Sequence, residues 1–283
     1  MKLARSKLAC SLGLAAATLL AAEASAQSTK LEARYRVSLA GLPLGAGGWI
    51  IDVSGNRYTM EVSGRTSGVL SLFANTNAAV SARGAINGGR AVPSAFNLNI
   101  QSQRSQDLVR MALASGAVKN LSVEPAPKPA DDREPLTDAH KRNVVDPISA
   151  GLIPLSGKNG FGPDLCKRTL AVFDGRQRFD LAFSFKRMDT VKSERGYSGP
   201  VVVCAVQYTP IAGFYHRRKS TRFMRESRDI EASFAPIAGT QFAAVYRINL
   251  PTTVGTAIIQ ATHFETTGSN RAERPDQPDT AER

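Results

Sequence analysis

The sequence is poor in the residues that carry most chemistry. It has three histidines, three cysteines and one tryptophan in 283 residues, and aromatics make up only 7% of it. So few aromatics exclude a carbohydrate-binding module built on stacking platforms. His140, His216 and His263 lie far apart, and no pair has metal-ligand spacing. No metal and no cofactor is expected. There is no Gly-x-Ser-x-Gly elbow, no Ser-x-x-Lys, no Cys-x-x-Cys and no Gly-x-x-x-x-Gly-Lys loop. The balance points away from an enzyme. Distant residues still meet in space, so a hydrolase with a dispersed site stays open as a second alternative.

Long apolar runs are missing too, except at the start. "MKLARSKLACSLGLAAATLLAAEASAQ" has Lys2, Arg5 and Lys7, an apolar run from Leu8 to Ala22, and Ala24-Ser25-Ala26. That is the order of a cleaved signal peptide, residues 1–26. A transmembrane anchor would need about 20 apolar residues, and Glu23 stops this run short. Residues 27–283 carry no further run able to cross a membrane. The expected location is the periplasm.

Acids are outnumbered: 36 Lys and Arg face 24 Asp and Glu, for a formal net charge of +12. Loss of the signal removes three cations and one acid, so the chain stays basic. A basic exported protein meets anionic surfaces such as phospholipid headgroups and lipopolysaccharide phosphates. Nucleic acid is not an expected partner outside the cytoplasm.

What is present is alternation. "EARYRVSLA" puts Ala33, Tyr35, Val37 and Leu39 on one face and Arg34, Arg36 and Ser38 on the other, the period of a half-buried strand. "GLPLG" interrupts it. "GGWIIDV" and "RYTMEV" flank Ser54-Gly55-Asn56, a hairpin signal, and Asn87-Gly88-Gly89 is another. Two short strands near 108–114 and 117–123 complete a first half. "GVLSLFAN" reads as one helical turn on the sheet. "EPAPKPADDREP" has four prolines and is expected to be a loop between halves. In "LTDAHKRNVVDPISAGLIPL" Asp146 reads as a helix N-cap, with Pro147 next and Ile148, Leu152 and Leu155 on a buried face. A second β half runs from Cys166 to about Phe264. The fold expected is all-β and mainly antiparallel: a curved sheet or half-barrel in two sequence halves, joined by a Pro-rich loop and a short helical segment. One β-rich domain spans 27–265, and the tail 266–283 is expected to be disordered.

In the second half, Asp174-Gly175 reads as a two-residue type I′ turn. Phe179, Leu181, Phe183 and Phe185 then alternate with polar residues, so Asp174 belongs to backbone geometry rather than to catalysis. Cys166 and Cys204 are the cysteines left after export, and an oxidising compartment favours a disulfide. If Cys166 and Cys204 sat on first and third strands of a meander, they would be too far apart. The bond needs Cys166 in the loop before its strand, or those two strands as neighbours. Two buried thiols are the alternative.

"GFYHRRKSTRFMRESR" stands above the background. Arg217, Arg218, Lys219 and Arg222 beside Phe214 and Phe223 suit an anionic amphiphile: cations take the phosphate and rings take acyl chains. A solvated strand edge, guarded by cations, is the other reading.

"YRVSLAGLPLG", "GRTSGVLSLFA", "CKRTLAVFDGRQRFDL", "VVVCAVQYTPIAG" and "FAPIAG…RINLPTTVGTAIIQA" resemble the bacterial domain of unknown function 3108 family over roughly Leu31 to Phe264. The chain departs from the family's usual pattern at "IEASFAP" and at Ala244-Val245. The resemblance implies an exported, β-rich envelope protein with no assigned reaction, similar in outline to half-barrel lipid carriers of the periplasm. Three readings follow: a carrier of a lipid or other anionic amphiphile; an envelope scaffold or protein-interaction module; and the hydrolase. An apolar, ligand-sized concavity would favour the first.

Overall fold

A computed structural model of the chain describes residues 28–67, 75–155, 160–193 and 196–269. The expected signal segment, the "GVLSLFA" turn and residues 270–283 lie outside the described residues.

Seven strands follow one another as antiparallel neighbours: β1 (Ser28–Leu39), β2 (Leu42–Ser54), β3 (Arg57–Thr66), β4 (Thr76–Asn87), β5 (Arg90–Ser102), β6 (Gln106–Ala114) and β7 (Ala117–Glu124). The expected turns at 54–56 and 87–89 connect β2 to β3 and β4 to β5. The "GLPLG" stretch opens in the turn that ends β1, with Gly41 in the β1–β2 connection. Leu42 to Gly45 already belong to β2, and a register shift between Val37 and Ser38 absorbs the irregularity.

The second half is β8 (Leu152–Pro154), β9 (Arg168–Phe173), β10 (Arg178–Val191), β11 (Gly199–Ala212), β12 (Glu231–Pro236), β13 (Phe242–Thr252) and β14 (Gly255–Ser269). It returns toward the start, so β14 pairs with β1 and the sheet reads β7 through β1, then β14 back to β9. β8 pairs with β13 beside this path. The last strand takes in Thr266 to Ser269, residues expected in the tail.

The sheet curls without closing. Its end strands, β7 and β9, do not pair; the chain between the halves fills the gap. Val145 bridges Val172 of β9, and Val144 N–H donates to the Gly116 carbonyl at 2.9 Å. The Arg176 guanidinium donates to Asp107 of β6 at 3.0 Å and to the Glu124 carbonyl at 3.2 Å.

The inward side chains form rows across the strands. Leu31, Ile51, Met60, Ala82, Phe96 and Met111 are successive partners from β1 to β6, and all are buried. Thr29, Val53 and Tyr58 form the row beyond it. Such interlocking rows bury apolar area at about 25 cal/mol per Å².

β11 is different. Val201 and Val203 join the inner core, while Val202, Cys204 and Val206 join a second cluster on the other side. Its unbroken apolar run follows from burial on both faces. Residues 161–166 and the helix α1 (Lys219–Glu226) cover the outer face. Cys166 sits in the turn before β9 and bonds Cys204, with Cα atoms 5.6 Å apart. Of the two arrangements that permit the bond, the loop position is the one found.

Three expectations are corrected. The "DPISAGLIPL" helix is a single 3-10 turn at Ser149–Gly151 followed by β8; pairing with β13 draws Leu152 into the sheet. Asp174-Gly175 is not a two-residue turn. Gly175 has φ +94° but Asp174 is not at positive φ, and the connection runs from 174 to 177. Asp174 Oδ1 holds it by accepting from Arg176 N–H at 2.7 Å and Gln177 N–H at 2.6 Å. Phe185, expected inside, is 42% exposed: β9 pairs with β10 only as far as Phe183, and β10 is exposed from Ser184 to Thr190.

Candidate functional site

At one end of the curl the rows lose their side chains. The row of Tyr35 continues through Gly47, Gly64 and Ala78, and the row of Val37 through Gly45 and Thr66. Little projects inward, and a cavity of about 500 Å³ results. Val37, Trp49, Val62, Ile248 and Ile259 wall it on the strand side, and Pro147, Ile148 and Gly151 close it from the crossover.

The small residues are required locally. A Cβ on Gly47 would stand 2.5 Å from the Ser63 carbonyl oxygen of the next strand. A Cβ on Gly151 would stand 2.6 Å from the Trp49 ring, so the crossover packs against the indole only because it has none there. Among the polar groups of the wall, Trp49 Nε1 has no hydrogen-bond partner. Tyr35 Oη donates to the Val245 carbonyl at 2.5 Å, and burial raises its pKa. Among the described residues, the cavity wall is mostly apolar and contains no histidine, aspartate or glutamate.

The crossover wall is anchored by a buried acid. Asp146 is fully buried, and its Oδ1 accepts from Ile148 N–H at 3.1 Å and Ser149 N–H at 2.9 Å. That is the capping role expected for it, on a shorter turn. Burial raises its pKa, and its Oδ2 has no hydrogen-bond partner. Ser149 Oγ lies 2.9 Å from Tyr58 Oη, which ties the turn to the filled core.

The basic run lies elsewhere; none of its residues lines the cavity. Phe214 is buried, 4.7 Å from the His216 ring, rather than presented to a ligand. Arg217 is exposed and 3.9 Å from Asp132. Arg218 stacks on the Tyr215 ring at 4.5 Å. Lys219, Arg222 and Phe223 fall on α1, with both cations exposed and Phe223 half-buried. The Pro-rich loop docks on this run: His216 N–H donates to the Asp132 carbonyl, and His216 Nε2 lies 2.9 Å from Glu134 Oε2. Asp132 of that loop thus sits against Arg217, and Glu134 against His216.

The other histidines are surface features. His140 Nδ1 accepts from Thr137 N–H at 3.1 Å, and His263 is 3.2 Å from Glu265. No group of three metal-ligating side chains occurs among the described residues. A concavity is what the carrier reading calls for, but none of the residues expected to bind a ligand lies in this one. Its only trace in the sequence is Gly45-Ala46-Gly47-Gly48 facing Ser63-Gly64 and Ala78.

Fold and site together define a class: a curled, mainly antiparallel β protein enclosing an apolar cavity at one end of its strands. A family model described as a protein of unknown function (DUF3108) matches residues 34–262, and the chain belongs to that family. The chain is similar in fold to a β-barrel-like protein of a domain of unknown function, DUF1849, from Brucella abortus, with a TM-score of 0.51 and 9% identity. That similarity covers 86% of this chain and 98% of the other. No curated protein matches the chain.

Proposed function

We propose that the chain is an exported protein of the cell envelope that carries a lipid or other amphiphile with its apolar part in this cavity. One observation carries the reading: an apolar concavity of about 500 Å³ built by missing side chains on three adjacent strands. Its size falls within the roughly 300–1,000 Å³ of small-molecule sites. Among the described residues the wall has no acid–base pair, which favours holding over hydrolysis. The seat is the cavity rather than the run at Arg217, Arg218, Lys219 and Arg222.

Trp49 is the only tryptophan and lines the cavity, so its fluorescence reports on occupancy. A single-chain fatty acid brominated along its tail is expected to quench it saturably. Ala78→Phe, which fills the cavity from β4, is expected to weaken that quenching about tenfold or more. Quenching that never saturates, or that is equal in Ala78→Phe, would leave the protein an envelope scaffold.

A further inference from the structure

Among the described residues, the two most exposed large hydrophobic side chains are Leu42 at 69% and Val254 at 68%. They sit at the β1–β2 and β13–β14 connections, both at the cavity end. The two tips are joined, since Ala40 N–H donates to the Thr256 carbonyl at 3.0 Å. Single exposed apolar residues are ordinary, but two on bonded tips beside an apolar cavity form one feature.

A second, independent feature lies behind them. Arg247, Gln260, Arg36, Ala46 and Arg65 are successive partners across β13, β14, β1, β2 and β3. Three arginines thus stand in one row on alternate strands, spaced about 10 Å apart. Segments 36–46, 62–67, 75–78 and 247–260 contain these three arginines and no acid. Along β1, Arg36 is three residues before Leu39, the strand's last residue, so the row lies about 10 Å behind the tip. An apolar tip backed at that depth by a row of cations matches a bilayer surface. Apolar side chains enter the headgroup and acyl boundary, about 5–10 Å deep, while cations meet the phosphates.

We infer that the cavity end docks on an anionic phospholipid bilayer, with Leu42 and Val254 inserted and Arg36, Arg65 and Arg247 at headgroup level. The cavity then opens toward the membrane, and an acyl chain passes between the two without crossing water. None of these five residues belongs to α1 or to the run before it.

The test is co-sedimentation of the protein lacking residues 1–26 with phosphatidylcholine vesicles, with and without phosphatidylglycerol. Binding is expected only with the anionic lipid, and weaker as salt rises. Leu42→Asp with Val254→Asp is expected to reduce partitioning about tenfold or more, with an unchanged melting temperature. Arg36→Ser and Arg65→Ser are each expected to reduce it about fivefold. Arg217→Ser, Arg218→Ser and Lys219→Ser together are expected to leave it intact. Equal partitioning of wild type and the Leu42/Val254 variant overturns the inference, as does loss of binding in the Arg217/Arg218/Lys219 variant alone. Quenching of Trp49 in vesicle-free solution reads the cavity separately, so the two ideas fail by different measurements.

Discussion

The two ends of β2 face the same interior and do opposite things there. At one end Trp49, Ile51 and Val53 point inward and meet Val62, Met60 and Tyr58 of β3. At the other, Gly45 and Gly47 point inward and meet Thr66 and Gly64. Backbone pairing continues through both, so the sheet does not notice the change. Only the space inside does. One end is a core and the other is a container, and the difference is made by deletion of side chains rather than by any added group.

The comparison is sharpened first by separating stability from the container. The Cys166–Cys204 bond closes a sequence separation of 38 residues and belongs to the outer cluster on β11, away from the cavity. In the chain-entropy model such a loop is worth about 4 kcal/mol. Cys204→Ser is expected to lower the melting temperature by roughly 10 °C, at 2–4 °C per kcal/mol for a chain of this size. Below that temperature, quenching of Trp49 by the brominated acid should be unchanged. A fall in probe affinity without unfolding would show that the container depends on the staple.

The next test places one kind of change at each end. Ile51→Ala deletes a side chain that is 0% exposed in the filled row and should destabilise by about 3 kcal/mol. Val37→Ala removes methyl groups that already face empty space and should destabilise by less than about 1 kcal/mol. Urea unfolding of both variants decides it. Similar losses would mean that the cavity end is packed as tightly as the core.

These contrasts also explain what could be read in the sequence. Alternation in "EARYRVSLA" and the turn at Asn87-Gly88-Gly89 report local geometry, so strands and hairpins were legible. Pairing of β14 with β1 is a contact between residues more than two hundred apart, and periodicity says nothing of it. The helix misread at 146–155 failed because β13 captured Leu152, a tertiary choice. α1 was missed because its face toward the sheet is weakly apolar, with Met224 packed and most of the rest charged. Charge and aromatic clustering drew attention to Arg217 through Phe223. The cavity went unseen because a site made of glycines has no side chain to announce it.

The smallest expected effect concerns the joint between the two ends. Asp146 holds the turn whose Pro147, Ile148 and Gly151 wall the container, while Ser149 of the same turn meets Tyr58 in the core. Burial raises the Asp146 pKa above the ordinary carboxylate range. The native protein therefore keeps a proton that the unfolded chain, with a pKa of about 3.9, gives up first. The contribution to stability is full below that ordinary value and is lost as pH rises through the native pKa. Asp146→Asn keeps an oxygen to accept from Ile148 and Ser149 but cannot ionise. Asp174, whose pKa burial also raises, titrates in both proteins and cancels from their difference. The stability of Asp146→Asn minus that of wild type should thus climb as pH is raised from about 4 toward neutrality, and then level. Urea midpoints of the two proteins across that window measure it. Parallel curves would mean that Asp146 ionises in the native protein over the same pH range as in the unfolded chain, and that burial does not hold its proton.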